Sequence, residues 1–219
     1  MDKLRLRFTK TGRAVYISHL DLMRTMQRAF LRAAMPLRYS EGFNPHAQIS
    51  ILLPLSVGIE SHCELMDFRL NADVPLAEIP GKLTAALPDG LEAVEAYENG
   101  RKSKELKWLR VKGRFCYDDD SISEAVAALT AFYSRETVAV TKKTKRGMGE
   151  MDLIPAIDRI QFREGRDCVI VDAMISAQEP TLNPDLLVSA LHQLQPELAP
   201  DYAAFRRIEV FDSEKQVFR

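Results

Sequence analysis

Between Lys3 and Lys10, apolar and basic residues alternate. Leu4, Leu6 and Phe8 point one way, while Lys3, Arg5, Arg7 and Lys10 lie mostly on the other side. A period of two predicts a half-buried strand. Thr11-Gly12-Arg13 turns the chain. Ser18, with Asp21 three residues on, forms a capping box that opens a helix with His19 in its first turn. Met23, Met26, Ala29, Phe30 and Ala33 make its apolar stripe, Arg24, Arg28 and Arg32 step by four along another face, and Pro36 stops it. Residues 37–46 are rich in Gly, Asn and Pro and predict a loop. Ile49 to Leu53 reads as a buried strand. Cys63 to Leu70 alternates again, with Cys63, Leu65, Asp67 and Arg69 opposing Glu64, Met66, Phe68 and Leu70. Val74 to Leu87 has helical spacing interrupted at Pro80-Gly81, and Leu91 to Tyr97 is a further strand. The order is β-α-β-β-α-β, the ferredoxin-like pattern.

Residues 98–106 are polar and suit a linker. Beyond them the pattern runs a second time. Strand is predicted over Trp108 to Tyr117, helix over Ser121 to Tyr133, and strand over Thr137 to Thr141. Lys142 to Glu150 forms a basic tip, and Met151 to Ile157 extends again. Ile160, Phe162 and Cys168 to Ile175 supply more strand, Pro184 to Leu194 a helix capped by Asn183, and Arg207 to Phe211 a last strand. The expected fold is therefore α+β, with two tandem ferredoxin-like halves of mainly antiparallel sheet. Their expected bounds are residues 1–98 and residues 107–219, the second half carrying the basic hairpin loop. No residue-level repeat joins the halves.

Composition excludes several classes. With 219 residues, 46% hydrophobic and 28% charged, the chain has ordinary globular usage. Its longest apolar-looking run, Ile49 to Ile59, falls short of the roughly 20 residues a membrane helix needs. The amino-terminal residues lack a signal-peptide core, so a cytoplasmic protein is expected. Cys63, Cys116 and Cys168 are an odd number spaced more than fifty residues apart, which excludes a disulfide framework and any local cysteine cluster for zinc or iron–sulfur.

The net charge of −1 hides blocks. Residues 1–46 hold nine Lys/Arg against three Asp/Glu, residues 47–100 two against nine, and residues 101–114 seven against one. Such blocks allow a basic surface on a neutral protein. Arg5 and Arg7 share a strand face, Arg24, Arg28 and Arg32 a helix face, and Lys142, Lys143, Lys145 and Arg146 a loop. Rows of this kind neutralise successive phosphates, and neighbouring aromatics such as Tyr39 and Phe43 can stack unpaired bases. The alternative is that the arginines pair with the acidic block and the aromatics fill the core. No nucleotide-loop, nucleophile-elbow or metalloprotease motif occurs. His19 and His46 are the candidate catalytic pair, able to serve as acid and base in metal-free RNA cleavage. A metal site from His19, Asp21, His46 and His62 fits no ligand spacing, so no metal or other cofactor is expected.

The stretch Tyr16-Ile17-Ser18-His19-Leu20-Asp21-Leu22-Met23-Arg24, then Pro36-Leu37-Arg38-Tyr39-Ser40-Glu41-Gly42-Phe43-Asn44-Pro45-His46, Ile49-Ser50 and Leu53-Pro54-Leu55-Ser56-Val57-Gly58, resembles the bacterial radical-SAM-associated protein family. The resemblance covers residues 3 to about 70 and implies a setting rather than a reaction. The chain has no Cys-x-x-x-Cys-x-x-Cys site of its own, so it would act as partner to a radical SAM protein, with Ser18–Asp21 and Tyr39–Pro45 lining the shared surface. The expected architecture is also similar to that of CRISPR repeat-processing endoribonucleases, but residues 196–219 contain none of their C-terminal loop glycines. The first reading is an accessory module that binds ribosomal or transfer RNA beside a radical SAM partner. A metal-independent endoribonuclease and a pure protein-interaction adaptor stand beside it.

Overall fold

A computed structural model describes residues 3–118, 122–144 and 147–219. The fold is mixed α+β, with four α-helices and mostly antiparallel strands among the described residues. The chain divides into two compact units: residues up to Ser103 together with Arg219, and Lys104–Phe218.

In the first unit the elements are β1 (Leu4–Lys10), α1 (His19–Arg32), β2 (Ile49–Ile51), β3 (Glu60–Phe68), α2 (Ile79–Ala86) and β4 (Leu91–Glu98). The strands lie in the order β4-β1-β3-β2, every neighbour antiparallel. Leu4, Leu6 and Phe8 of β1 and Met66 and Phe68 of β3 face α1 and α2, which close the core with Leu22, Met26, Ala29, Phe30, Ile79 and Leu83. Burying each Leu, Ile, Met or Phe side chain among these stabilises by roughly 1.5–3 kcal/mol. The cap of α1 forms as its sequence predicts, with the Asp21 amide donating to Ser18 Oγ at 3.2 Å. The expected apolar stripe shifts slightly, because Leu22 is buried whereas Met23 and Ala33 are only partly so. The helix expected over Val74 to Leu87 starts later. A short 3₁₀ turn at Leu76–Glu78 precedes α2, and Pro80 sits in its first turn, where a missing amide costs little.

The other face of β1 departs from expectation. Arg5 is fully buried although a half-buried strand should expose it. β1 is an inner strand, flanked by β3 and β4. Register places Arg5 between Asp67 and Tyr97, and the Arg101 carbonyl accepts a hydrogen bond from its Nη2 at 3.0 Å. Lys10 is also buried. It shares the period-two face of Leu4, Leu6 and Phe8, and its Nζ donates to the carbonyls of Val15 (3.2 Å) and Ile17 (2.9 Å). Burial pulls the Lys10 amine below the ordinary lysine value, while nearby Glu64 opposes that shift.

The second unit contains β5 (Leu106–Cys116), α3 (Ile122–Tyr133), β6 (Ala139–Thr144), β7 (Gly147–Asp152), β8 (Ile157–Glu164), β9 (Val169–Ser176), α4 (Asp185–Leu194) and β10 (Tyr202–Asp212). Its main strands run β10-β5-β9-β8, again antiparallel at every step, and β6 and β7 form a separate hairpin. An aromatic chain fills the core. Phe115 meets Phe205 edge-on at 5.8 Å, and Tyr133 stacks on Phe162 at 5.5 Å. The Tyr133 hydroxyl donates to the Leu187 carbonyl, and burial raises that phenol above the ordinary tyrosine value. Gly113 lies under the Phe205 ring, where an added Cβ would stand 2.7 Å from a ring carbon. Arg110 and Asp172 join β5 to β9 through two hydrogen bonds of 3.0 and 2.7 Å, which hold the Asp172 carboxyl below its usual range. Among the described residues, no helix is long and apolar enough to cross a membrane.

Candidate functional site

The segment between α1 and β2 is built from its ends inward. Leu37 and Ala47 are buried in the first core. Leu37 bridges to Leu70, Tyr39 bridges to Ala47, and the Arg38 amide donates to the Arg69 carbonyl at 2.8 Å. These contacts fix both roots of a small projecting loop, Ser40–His46. The Ser40 hydroxyl ties the loop across its neck, accepting from the His46 amide at 3.1 Å and lying 3.0 Å from His46 Nδ1. Beyond the neck, Tyr39 is half exposed and Phe43 is fully exposed.

At the loop base lies a cleft of about 460 Å³, lined by Lys3, His46, Ala47, Gln48, Ile49, Ser50, Asp67, Phe68 and Arg69. Its floor carries Asp67, which is buried and accepts from Arg5 Nε at 2.7 Å and Arg5 Nη2 at 3.3 Å. Lys3 Nζ stands 2.6 Å from the same carboxylate and remains half exposed. Among the lining residues Lys3 and Arg69 stand against the one carboxylate, Asp67, which Arg5 already pairs from below. Lys3, Arg69, Ser50 and His46 offer cationic or polar contacts to an anion, with Phe68 as an apolar wall.

The expected site residues fare differently. Arg5 is not a surface cation: it is locked to Asp67 below the cleft. Arg7 is partly buried, and its Nε has no hydrogen-bond partner. Arg24 is exposed but paired with Asp21 at 3.0 Å. Hydrogen bonds from Ser18 first, then Arg24, hold the Asp21 carboxyl below its usual range. Arg28 is exposed, whereas Arg32 donates to the Ala86 carbonyl at the end of α2 (2.6 and 3.2 Å). Lys142 is partly buried, its Nζ 2.9 Å from Met151 Sδ. The backbone of Lys143 pairs with Met148, and Lys145 and Arg146 lie outside the described residues. The rows expected to work together are thus largely engaged within the protein.

The histidines also separate. His46 lines the cleft; His19 does not, and stands exposed at the first turn of α1. Among the described residues, no three His, Cys, Asp or Glu side chains converge on a metal position. The three motifs of the N-terminal stretch meet in pairs. The Gly58 amide, at the end of the last motif, donates at 3.0 Å to the carbonyl of Val15, the residue just before the first. His46 and Ile49-Ser50 share the cleft, joining the second to the third.

Lys3, Ser50 and Arg69 escaped the sequence reading. The alternation over Cys63 to Leu70 already put Asp67 and Arg69 on one face, but only the pairing of Arg5 with Asp67 across β1 and β3 shows which face that is.

Comparison with known proteins adds family membership. No curated protein matches the chain. Among solved structures, an unknown protein from Galdieria sulphuraria is similar at 12% identity, over 94% of this chain and 98% of that one, with a TM-score of 0.27. Residues 3–184 match a family described as uncharacterised proteins conserved in bacteria, and the chain belongs to that family, DUF2344.

Proposed function

We propose that the chain is a non-enzymatic RNA-binding module that works beside a radical SAM protein in the cytoplasm, recognising ribosomal or transfer RNA through its first unit. One juxtaposition supports this reading above the others: an exposed Phe43 on a loop whose base is a cleft bearing Lys3 and Arg69. Phosphates are bound by compact cations, and unpaired bases by aromatic faces. The loop and cleft offer both within one unit. Tyr39 at the loop neck adds a second ring. His46, tied to Ser40, serves here as a polar contact rather than as an acid or base.

We further read each unit as ferredoxin-like. Two strand orders support this, β4-β1-β3-β2 and β10-β5-β9-β8, each traced by two strand pairs and two helices, with the β6–β7 hairpin inserted in the second. Sheets of this order are common RNA platforms, which fits the proposal as analogy only.

The test is retention of total cellular RNA and of purified transfer RNA across a salt series. Phe43→Ala should cost about 1–3 kcal/mol of binding, the worth of one stacked base. Arg69→Ala should weaken binding to all sequences and reduce the slope of log K against log salt by about one. RNA retention that ignores salt, or that survives both substitutions unchanged, refutes the proposal. Capture of a radical SAM protein that persists after nuclease treatment, without any RNA retention, would favour the adaptor reading instead.

A further inference from the structure

We propose that Cys116 and Cys168 are a reversible oxidation site, closing into a cross-strand disulfide. The inference is independent of the RNA-binding reading. More than fifty residues separate the two in sequence, yet the fold sets them opposite each other. β5 and β9 pair antiparallel in unbroken register from Trp108↔Ser176 to Phe115↔Val169. One further step of that register places Cys116 against Cys168. Directly opposed residues of an antiparallel pair have Cα atoms about 4.5–5.5 Å apart, inside the range of about 4.4–6.8 Å that a disulfide spans.

Both backbones are held in place. The Cys116 carbonyl accepts from the Asp201 amide at 3.0 Å, and the Cys168 carbonyl from the Gly165 amide at 2.8 Å. The two thiols differ in access. Cys116 is partly exposed, whereas Cys168 is buried. Burial raises the Cys168 thiol above its ordinary value; the neighbouring Cys116 and Asp167 add to the shift, and Arg114 opposes it. Cys116 is therefore the thiol an oxidant meets first, and Cys168 the one that resolves. Cys63 lies in the first unit, fully buried beside Ser61, and takes no part.

The chemistry balances with a low-molecular-weight disulfide, RSSR, as oxidant. The Cys116 thiolate attacks one sulfur, the S–S bond of RSSR breaks, and RS⁻ leaves and takes up the Cys116 proton. The Cys168 sulfur then attacks Cys116 Sγ, its proton passing to the second RS⁻ as that leaves. Two thiols and one RSSR become one protein disulfide and two RSH. The bond closes a loop that holds α3, the β6–β7 hairpin and β8, so oxidation would tether these elements to β5.

The experiment uses the full chain, first reduced and then incubated with glutathione disulfide, quenched by alkylation under denaturing conditions, and read by intact mass and peptide mapping. Alkylatable thiols should fall from three to one. Without alkylation, the oxidised chain should be about 2 Da lighter than the reduced protein. A single cross-linked peptide pair should contain Cys116 and Cys168, with Cys63 fully alkylated. In Cys168→Ser the reaction should stop at a glutathione adduct on Cys116. Three alkylatable thiols after oxidation, a stable glutathione adduct on Cys116 in the parent chain, or a bond involving Cys63 would each overturn the proposal. The parent-chain result decides the matter even if the serine variant fails to fold.

Discussion

Asp67→Asn tests the central electrostatic feature of the first unit. The carboxylate is buried on β3 and accepts from Arg5 Nε at 2.7 Å and Nη2 at 3.3 Å. Asparagine keeps the size but removes the carboxylate charge that the fully buried Arg5 guanidinium faces. Breaking a buried pair in this way costs about 3–5 kcal/mol, chiefly through the stranded charge. The Lys3 contact, half exposed at 47%, adds at most about 1 kcal/mol. Against a typical stability of about 5–15 kcal/mol, the variant should still fold in the cold. With a urea slope of about 1–3 kcal/mol/M, a loss of that size moves the unfolding midpoint down by roughly 1–5 M, read by circular dichroism. The companion double variant, Arg5→Met with Asp67→Leu, should recover most of the loss, because it removes both charges and keeps the volume. A fall below about 1 kcal/mol in Asp67→Asn would mean that water reaches the pair. That result would return Arg5 to the set of accessible cations and undo the description of the cleft floor.

Two further outcomes follow from packing and protonation. Gly113→Ala forces a methyl group against the Phe205 ring, itself packed on Phe115, and should destabilise by about 1–3 kcal/mol in the same urea assay; a neutral effect would show that the ring is free to move aside. Lys10 has a depressed folded value against 10.5 unfolded, so the unfolded chain binds the extra proton between the two. Stability should therefore rise with pH in the window just below 10.5, and Lys10→Met should flatten that rise; an unchanged slope in the variant would assign the rise to another group.

Much of the fold was legible because strands and helices write their periods into the chain. Leu4, Leu6 and Phe8 give the core face of β1, and Ser18 with Asp21 gives the start of α1. What periodicity cannot say is which strand becomes an inner one. Arg5 looked solvent-facing because alternation separates two faces without telling whether the second is covered. The neighbours that cover it, Asp67, Tyr97 and the Arg101 carbonyl, come from three distant stretches. Lys10 misled because its charge suggested the outer face, whereas the period of two sets it with Leu4, Leu6 and Phe8, where its Nζ reaches the Val15 and Ile17 carbonyls. The candidate site was half legible. The loop of residues 37–46 and its aromatics stood out through Gly, Asn and Pro, whereas Lys3 and Arg69 became its partners only through the bridge between Leu37 and Leu70. The pairing of Cys116 with Cys168 was invisible for the same reason, since register is a long-range property.

The Ser40–His46 loop is rooted by buried residues and tied across its neck, so its tip is mechanically separate from the sheet that holds it. That arrangement makes Phe43 a natural reporter position. A cysteine-directed dye or a photoreactive amino acid installed there would sample whatever approaches the cleft, while the strands beneath keep their pairing.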